Sequence, residues 1–188
     1  MILPIVAYGD PVLKKKAEPI TKDHPGLKEL IENMFETMHN ASGLGLAAPQ
    51  VGASIRLFVI DTIPYADEDK DPDLRDFRKV FINAEMLEQE GEQWTYNEGC
   101  LSIPGIREDI YREPIIKLKY CDENFIEYIE TFKGIRARII QHEYDHTDGI
   151  LFTDRISFLR KRLLKNRLLD ISKGRAKNDY PMKFPLRK

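Results

Sequence analysis

Two histidines and a glutamate within five consecutive residues form the strongest chemical pattern in the chain. His142, Glu143 and His146 fit the pattern HExxH, and hydrophobic periodicity predicts a helix around them. Residues four apart share one face of a helix, so both imidazoles can bind one metal ion while Glu143 lies beside the ion's open position. A metal ion activates water, and a neighbouring carboxylate can accept the proton and pass it to a leaving group. The spacing therefore predicts metal-assisted hydrolysis.

A catalytic site of this kind needs a third protein ligand, and the chain offers few. In the pattern HExxHxxGxxH the third histidine would stand where this chain has Phe152, and no glutamate follows His146. These two facts exclude the arrangements in which the third ligand is a downstream histidine or glutamate. His24 and His39 lie on or beside the first predicted helix, and we expect both to be surface residues. Only the cysteines remain as soft ligands.

The two cysteines differ in their local sequence. Cys100 follows a glycine and precedes the segment LSIP, which suits a strand end or a turn, whereas Cys121 lies at the edge of a predicted hairpin. Taken alone, each is more typical of a small buried apolar residue than of a ligand. The lack of any other third ligand favours Cys100, since one thiolate and two imidazoles leave one position open for water. Nearby Glu98 either orients this loop or is a solvated carboxylate.

A glycine- and alanine-rich segment, GLGLAAPQVG at residues 43–52, follows the first predicted helix. Its two closely spaced glycines permit close approach of a ligand to the backbone. No Lys-Ser or Lys-Thr follows them, so the segment is not a P-loop, and a simple helix end before a strand is the alternative. Gln50 is the functional candidate here, because a side-chain amide can donate to a developing oxyanion. Arg107, just after the Cys100 loop, is either a contact of the substrate backbone or an ordinary surface arginine.

The elements that must position these groups follow from hydrophobic periodicity. They are a helix over 26–41, strands over 56–61 and 80–87, a hairpin over 115–132, and helices over 134–149 and 157–172. Because the strands are grouped between the helices, the order predicts an α+β fold with an antiparallel element and a C-terminal helix.

Length and composition limit the class of protein. The 188 residues carry 29 basic and 31 acidic side chains, which predicts one catalytic domain over 1–172, with 173–188 as a flexible tail. Two cysteines cannot build a disulfide scaffold. No run of about 18 apolar residues occurs, so we expect no membrane span, and we expect a cytoplasmic monomer. The acidic segment 65–76 is expected to be an exposed, mobile loop.

Three segments in order, GLGLAAPQ, EGCLS and QHEYDH, closely resemble the signature motifs of peptide deformylases. The similarity spans residues 3 to about 163, and it implies antiparallel sheets around a central metal-binding helix. By this resemblance Cys100, His142 and His146 bind the metal and Glu143 is the general acid and base. The family implies Fe²⁺, whereas raw affinity favours Zn²⁺.

The resemblance also implies a reaction and its substrate. The enzyme would hydrolyse the formyl group from the N-formylmethionine of newly synthesised polypeptides, a linear amide, and release formate. Gln50 and the backbone N–H of Leu101 would stabilise the oxyanion formed when water attacks the formyl carbon. The cleft would be lined by three residues that pair with the peptide like an added strand, Gly43, Leu44 and Gly45.

The chain departs from the family pattern close to the metal-binding motif. Tyr144 and Thr147 stand where the family often has Met-like and Leu-like residues. Arg138 lies one turn before His142, where an apolar pocket residue is expected. These departures affect the predicted shape of the side-chain pocket and leave the metal chemistry unchanged.

Two other functions are compatible with the same sequence. A metallopeptidase or an amidase acting on another acyl group would use the same centre. A basic binding module would instead bind RNA phosphates through cations in or next to the C-terminal helix, which are Arg155, Arg160, Lys161, Arg162, Lys165 and Arg167. An enzyme acting on nascent chains would also gain from contact with the ribosome through this helix, whereas a solvated helix face is the structural alternative.

Overall fold

The computed structural model describes residues 1–66 and 74–186, and this part of the chain contains three α-helices and nine strands. The helices are α1 (Leu27–Asn40), α2 (Gly134–Thr147) and α3 (Phe158–Ser172). The strands are β1 (Ile5–Val6), β2 (Gly45–Ala47), β3 (Leu57–Asp61), β4 (Arg78–Glu90), β5 (Trp94–Cys100), β6 (Ile103–Arg112), β7 (Ile115–Cys121), β8 (Glu127–Lys133) and β9 (Met182–Lys183). Most of the predicted acidic loop, residues 67–73, lies outside the described residues. No described helix is both long and apolar enough to cross a membrane.

Five antiparallel strands form the main sheet in the order β2-β3-β4-β7-β8. Strand β3 is buried along its whole length because its side chains alternate between two apolar layers. Phe58 and Ile60 pack in the layer that contains α2, whereas Leu57 and Val59 pack in the layer that contains α1. The sheet is therefore covered by one helix on each face, and β2 lies at its edge.

Helix α2 is buried around most of its circumference. Its apolar residues Ile135, Ile139 and Ile140 pack with the main sheet, while Arg138 contacts the separate β5–β6 hairpin. Helix α3 packs on that hairpin through Leu164 and its neighbours. This architecture confirms the predicted α+β fold with antiparallel sheets and a C-terminal helix.

Sequence periodicity did not predict the β5–β6 hairpin. Alternate residues of β6 are buried, but Ile106 and Ile110 share that buried face with Glu108 and Arg112. Charged side chains at inward positions hide the alternation of apolar and polar residues from which strands are predicted. The hairpin nevertheless carries Cys100 at the end of its first strand.

Part of segment 173–186, which the sequence predicts to be a flexible tail, forms a strand. Strand β9 pairs in parallel with β1, and the N–H of Ile5 donates to the carbonyl of Pro181 at 2.9 Å. Met182 and Phe184 pack against the apolar cluster under α3. Two paired residues are too few to produce a periodic pattern, and their partner strand lies at the other end of the chain, so the sequence gives no indication of this contact.

Candidate metal centre

One face of α2 and the end of β5 bring three ligand-type side chains together. His142 and His146 lie one turn apart on α2, and Cys100 approaches them from the hairpin. Their ligand atoms lie within 4.8 Å of one another, and Cys100 Sγ is 3.3 Å from His146 Nε2. Within the described part of the chain this is the one group of such side chains at that spacing. The remaining candidates from the sequence lie elsewhere, namely Cys121, His24 and His39.

The electrostatic environment of this group suits a cation. Burial lowers the pKa of His142, but hydrogen bonding with Cys100 and Glu98 outweighs burial and raises that pKa well above its usual value. Burial and the neighbouring His142 hold the pKa of His146 well below its usual value. The surroundings of His142 thus favour a positive charge, and those of His146 favour its neutral imidazole. A thiolate and two imidazoles are donors that zinc and iron(II) accept, so the residues present fit a divalent metal.

A buried carboxylate orients the first histidine. Glu98 Oε2 lies 2.9 Å from His142 Nδ1, which leaves the opposite ring nitrogen for a metal. Arg112 donates to both carboxylate oxygens of Glu98 at 2.7 and 2.9 Å, and Arg138 donates to Oε1 at 2.9 Å. Burial raises the pKa of Glu98, but the hydrogen bonds from His142 and Arg112 outweigh it and hold that pKa well below its usual range. Glu98 is therefore buried and not a solvated carboxylate, and the group that it contacts at this site is His142 on α2, whereas the sequence offered the Cys100 loop.

Glu143 is buried beside the ligands and faces Gly45 on strand β2. Its Oε2 has no hydrogen-bond partner among the described residues, and a β-carbon at Gly45 would lie 2.6 Å from Oε1. Burial, assisted by the negative charge of Glu98, raises the pKa of Glu143 to about 7. The result is a carboxyl group able to gain and lose a proton near neutral pH.

Gln50 is held in one orientation by the backbone. The N–H of Ala47 donates to Gln50 Oε1 at 2.9 Å, so the side-chain nitrogen is directed towards Cys100 Sγ at 3.4 Å and Ser102 Oγ at 3.3 Å. Gln50 is buried. The structure therefore brings its amide N–H group next to the metal-ligand cluster, beside the turn that contains Leu101.

A cleft of about 500 Å³ opens beside these groups. Its lining residues include Gly43, Leu44 and Gly45, and also Leu101 in the turn after the cysteine. Arg107 lies among the lining residues, where its Nε donates to Asn97 Oδ1 at 2.9 Å. This guanidinium is exposed at the cleft, where a bound ligand can reach it.

Of the three departures from the family pattern, one lies at the cleft. Arg138 lines it, donates to the carbonyl of Trp94 at 2.6 Å and places its guanidinium 4.6 Å from the centre of the Trp94 ring. Tyr144 and Thr147 are not among the lining residues. The guanidinium of Arg138 donates to Glu98 and to backbone carbonyls, so the arginine supports the carboxylate that contacts His142.

Comparisons with known proteins agree on one family. The sequence model of the family described as polypeptide deformylase matches residues 2–162. A peptide deformylase of Christiangramia forsetii is 57% identical over 190 residues, which cover 98% of this chain and 97% of that protein. The crystal structure of peptide deformylase from Thermotoga maritima is 43% identical, with a TM-score of 0.74, and the match covers 84% of this chain and 99% of that chain. The structure from Ehrlichia chaffeensis is 32% identical, with a TM-score of 0.83 and coverage of 93% and 98%.

Proposed function

Because the chain belongs to the polypeptide deformylase family, we propose that it hydrolyses the formyl group from the N-formylmethionine of nascent polypeptides and releases formate. Family membership makes the protein a hydrolase that removes the N-formyl group from nascent peptides. The observation that carries the detailed proposal is the cluster of Cys100, His142 and His146 beside the buried carboxylate of Glu143. We propose the cytoplasm, where nascent chains are synthesised, as the location of the reaction. Since one chain supplies all of these groups, a monomer is sufficient.

Cys100, His142 and His146 would hold a divalent cation. When bound, the cation would supply Lewis acidity that lowers the pKa of water and polarises the formyl carbonyl. Zinc is favoured by affinity and iron(II) by the family resemblance, so we propose Fe²⁺ in the cell with Zn²⁺ as the alternative. Metal analysis of protein purified without oxygen distinguishes the two.

Glu143 moves the proton in this proposal. Its carboxylate accepts a proton from water as the water oxygen bonds to the formyl carbon. The same proton then passes to the amide nitrogen as the carbon–nitrogen bond breaks, so formate and a free N-terminal amine result. A pKa raised to about 7 supports both steps near neutral pH, because the carboxyl group can gain and lose a proton without a large free-energy difference.

Gln50 and Leu101 would stabilise the negative charge on the formyl oxygen. The amide of Gln50 is fixed before substrate arrives, because Ala47 holds its oxygen and thereby directs its N–H group. A donor oriented in advance needs no reorganisation when the oxyanion forms. The backbone N–H of Leu101 follows Cys100 directly and would supply the second hydrogen bond.

The edge of the main sheet would bind the peptide. Strand β2 lies at that edge, and its first residue, Gly45, lines the cleft together with Gly43 and Leu44 just before it, so an extended substrate can add to the sheet there. Arg107 at the same cleft would contact the substrate backbone.

Formate release from a formyl-Met peptide tests the proposal. We compare metal-loaded wild type with Cys100→Ala and Glu143→Gln, and metal content is measured on each sample. We expect Cys100→Ala to lose metal and activity, and Glu143→Gln to keep metal but lose activity. Near wild-type turnover by Glu143→Gln with bound metal contradicts the role of Glu143. Cleavage of acetylated or unmodified Met peptides in preference to the formylated one favours the alternative metallopeptidase or amidase.

Helix α3 is the proposed contact with the ribosome. It exposes Phe158, Leu159 and Leu163, and among the described residues Arg162 and Lys165 have no hydrogen-bond or ion-pair partner. The other basic residues of the predicted face bind within the protein, which weakens the hypothesis of a purely RNA-binding module. Those internal contacts are Arg155 with Asp145, Arg160 with Glu108, Lys161 with Asp154, and Arg167 with the Gly105 carbonyl.

Two charge reversals test this contact. Deletion of α3 is unsuitable because Leu164 and Leu168 belong to the core. We expect Arg162→Glu combined with Lys165→Glu to weaken salt-sensitive binding to ribosomes, while formate release from a free peptide stays unchanged. The control pair Lys22→Glu and Lys28→Glu makes the same charge change near α1 and should bind like wild type. Equal ribosome binding by both pairs refutes the proposed contact.

A further inference from the structure

The C-terminal segment forms a wall of the catalytic cleft. Residues 177–180 line the cleft on the same side as the turn after Cys100. Strand β9 follows directly and ties the segment to β1, with the N–H of Ala7 donating to the carbonyl of Lys183 at 2.9 Å. The family's sequence model ends at residue 162, so this wall lies outside the region that the model describes.

Tyr180 connects this wall to the turn that contains Leu101. Its hydroxyl donates to the carbonyl oxygen of Leu101 at 2.7 Å, and both residues pack against the same apolar cluster. The next carbonyl, that of Ser102, accepts the N–H of Tyr8 at 2.8 Å. Consecutive peptide groups of the turn are therefore held by the two ends of the chain.

We propose that Tyr180 is a positioning residue for deformylation, which holds the Leu101 carbonyl and thereby fixes the direction of the Leu101 N–H. The inference rests on the proposed role of that N–H as an oxyanion donor. Peptide groups are planar and only two torsions separate them, so a fixed carbonyl on one side of the Leu101 α-carbon restricts the N–H on the other. A donor acts in the transition state only if it is aimed at the developing charge. Loss of the tyrosine hydroxyl should therefore lower kcat more than it changes KM.

The test compares Tyr180→Phe, which removes one hydroxyl, with Tyr128→Phe as a matched control. Tyr128 lies on β8, and its hydroxyl has a long 3.4 Å contact to Asp122. For Tyr180→Phe with a formyl-Met peptide we expect kcat to fall roughly three- to tenfold. KM should stay within about twofold of wild type. Amide hydrogen exchange at residues 101–103 should become faster, and metal content and melting temperature should stay close to wild type. The control should match wild type in every measurement.

Several outcomes overturn the inference. Wild-type kcat and exchange in Tyr180→Phe refute it, as does a raised KM with unchanged kcat, which would assign Tyr180 to substrate binding. If kcat and bound metal fall by the same fraction, Tyr180 has a general structural role and the inference is wrong. If metal-loaded wild type releases no formate, the proposed function fails and the inference fails with it. An active wild type with an equally active Tyr180→Phe refutes the inference alone.

Discussion

Replacing Gly45 by alanine tests the proposed place of Glu143 in catalysis. Strand β2 brings Gly45 so close to the glutamate that a β-carbon would lie 2.6 Å from Oε1 and 2.7 Å from Cγ. The backbone of Gly45 does not have a positive φ, so alanine introduces no backbone strain of that kind. Because Cγ is also too close, rotation of the carboxylate alone cannot relieve the clash, and the whole side chain must shift.

The size of the shift sets the expected loss of activity. To reach a contact distance of 3.4 Å, Oε1 must move by about 0.8 Å. A misplacement of about 1 Å can lower the rate roughly 10²-fold, which is ~2.7 kcal/mol of the activation barrier. We therefore expect kcat of Gly45→Ala to fall by about two orders of magnitude. The metal should be retained, because the clash involves none of the three ligands.

Steady-state formate release at saturating formyl-Met peptide, with metal content measured in parallel, checks this expectation. Gly26→Ala is the control for replacing a glycine, since Gly26 has a φ of 69° and open space around its β-carbon position. That variant should lose about 1 kcal/mol of folding free energy through backbone strain and keep wild-type kcat. A wild-type kcat in Gly45→Ala would show that Glu143 tolerates displacement and that the proton-transfer role rests on the wrong geometry.

The helices and the approach of the three candidate ligands to one another were largely predictable because each depends on local spacing. His142 and His146 come from one helix, so four residues of separation are enough to place them on one face. Cys100 followed from the small number of other ligands in the chain. The main-sheet strands β3, β7 and β8 alternate or run apolar as strands do, and their positions agree with the prediction.

The ionic pairing behind the site was not predictable, because it joins buried charges from distant parts of the fold. Arg112 donates to Glu98 and also to Asp145, so residues from β5, β6 and α2 share one ionic network. Charged side chains are seldom buried, and nothing in a single sequence shows which ones have partners. The same holds for Tyr180, whose partner Leu101 is distant in the chain. Such contacts decide the orientation of ligands and donors, which is the part of function that motif spacing leaves undetermined.

Two further predictions concern the ionic network and the metal. Glu98→Gln should lower the free energy of unfolding by about 3–5 kcal/mol and weaken metal retention, since it leaves buried Arg138 without its carboxylate and leaves Arg112 with Asp145 alone. Urea denaturation measures this change in stability. The control is Glu88→Gln in the exposed pair Lys117–Glu88, which should change the free energy of unfolding by less than ~1 kcal/mol. Equal stability of the two variants would refute the importance of the buried network. Removal of the metal by a chelator should abolish formate release and lower the melting temperature, because an ion bound only by the folded state stabilises it by mass action. Zinc or iron(II) added back should restore both properties, and full activity after verified metal removal would contradict the assignment of the centre.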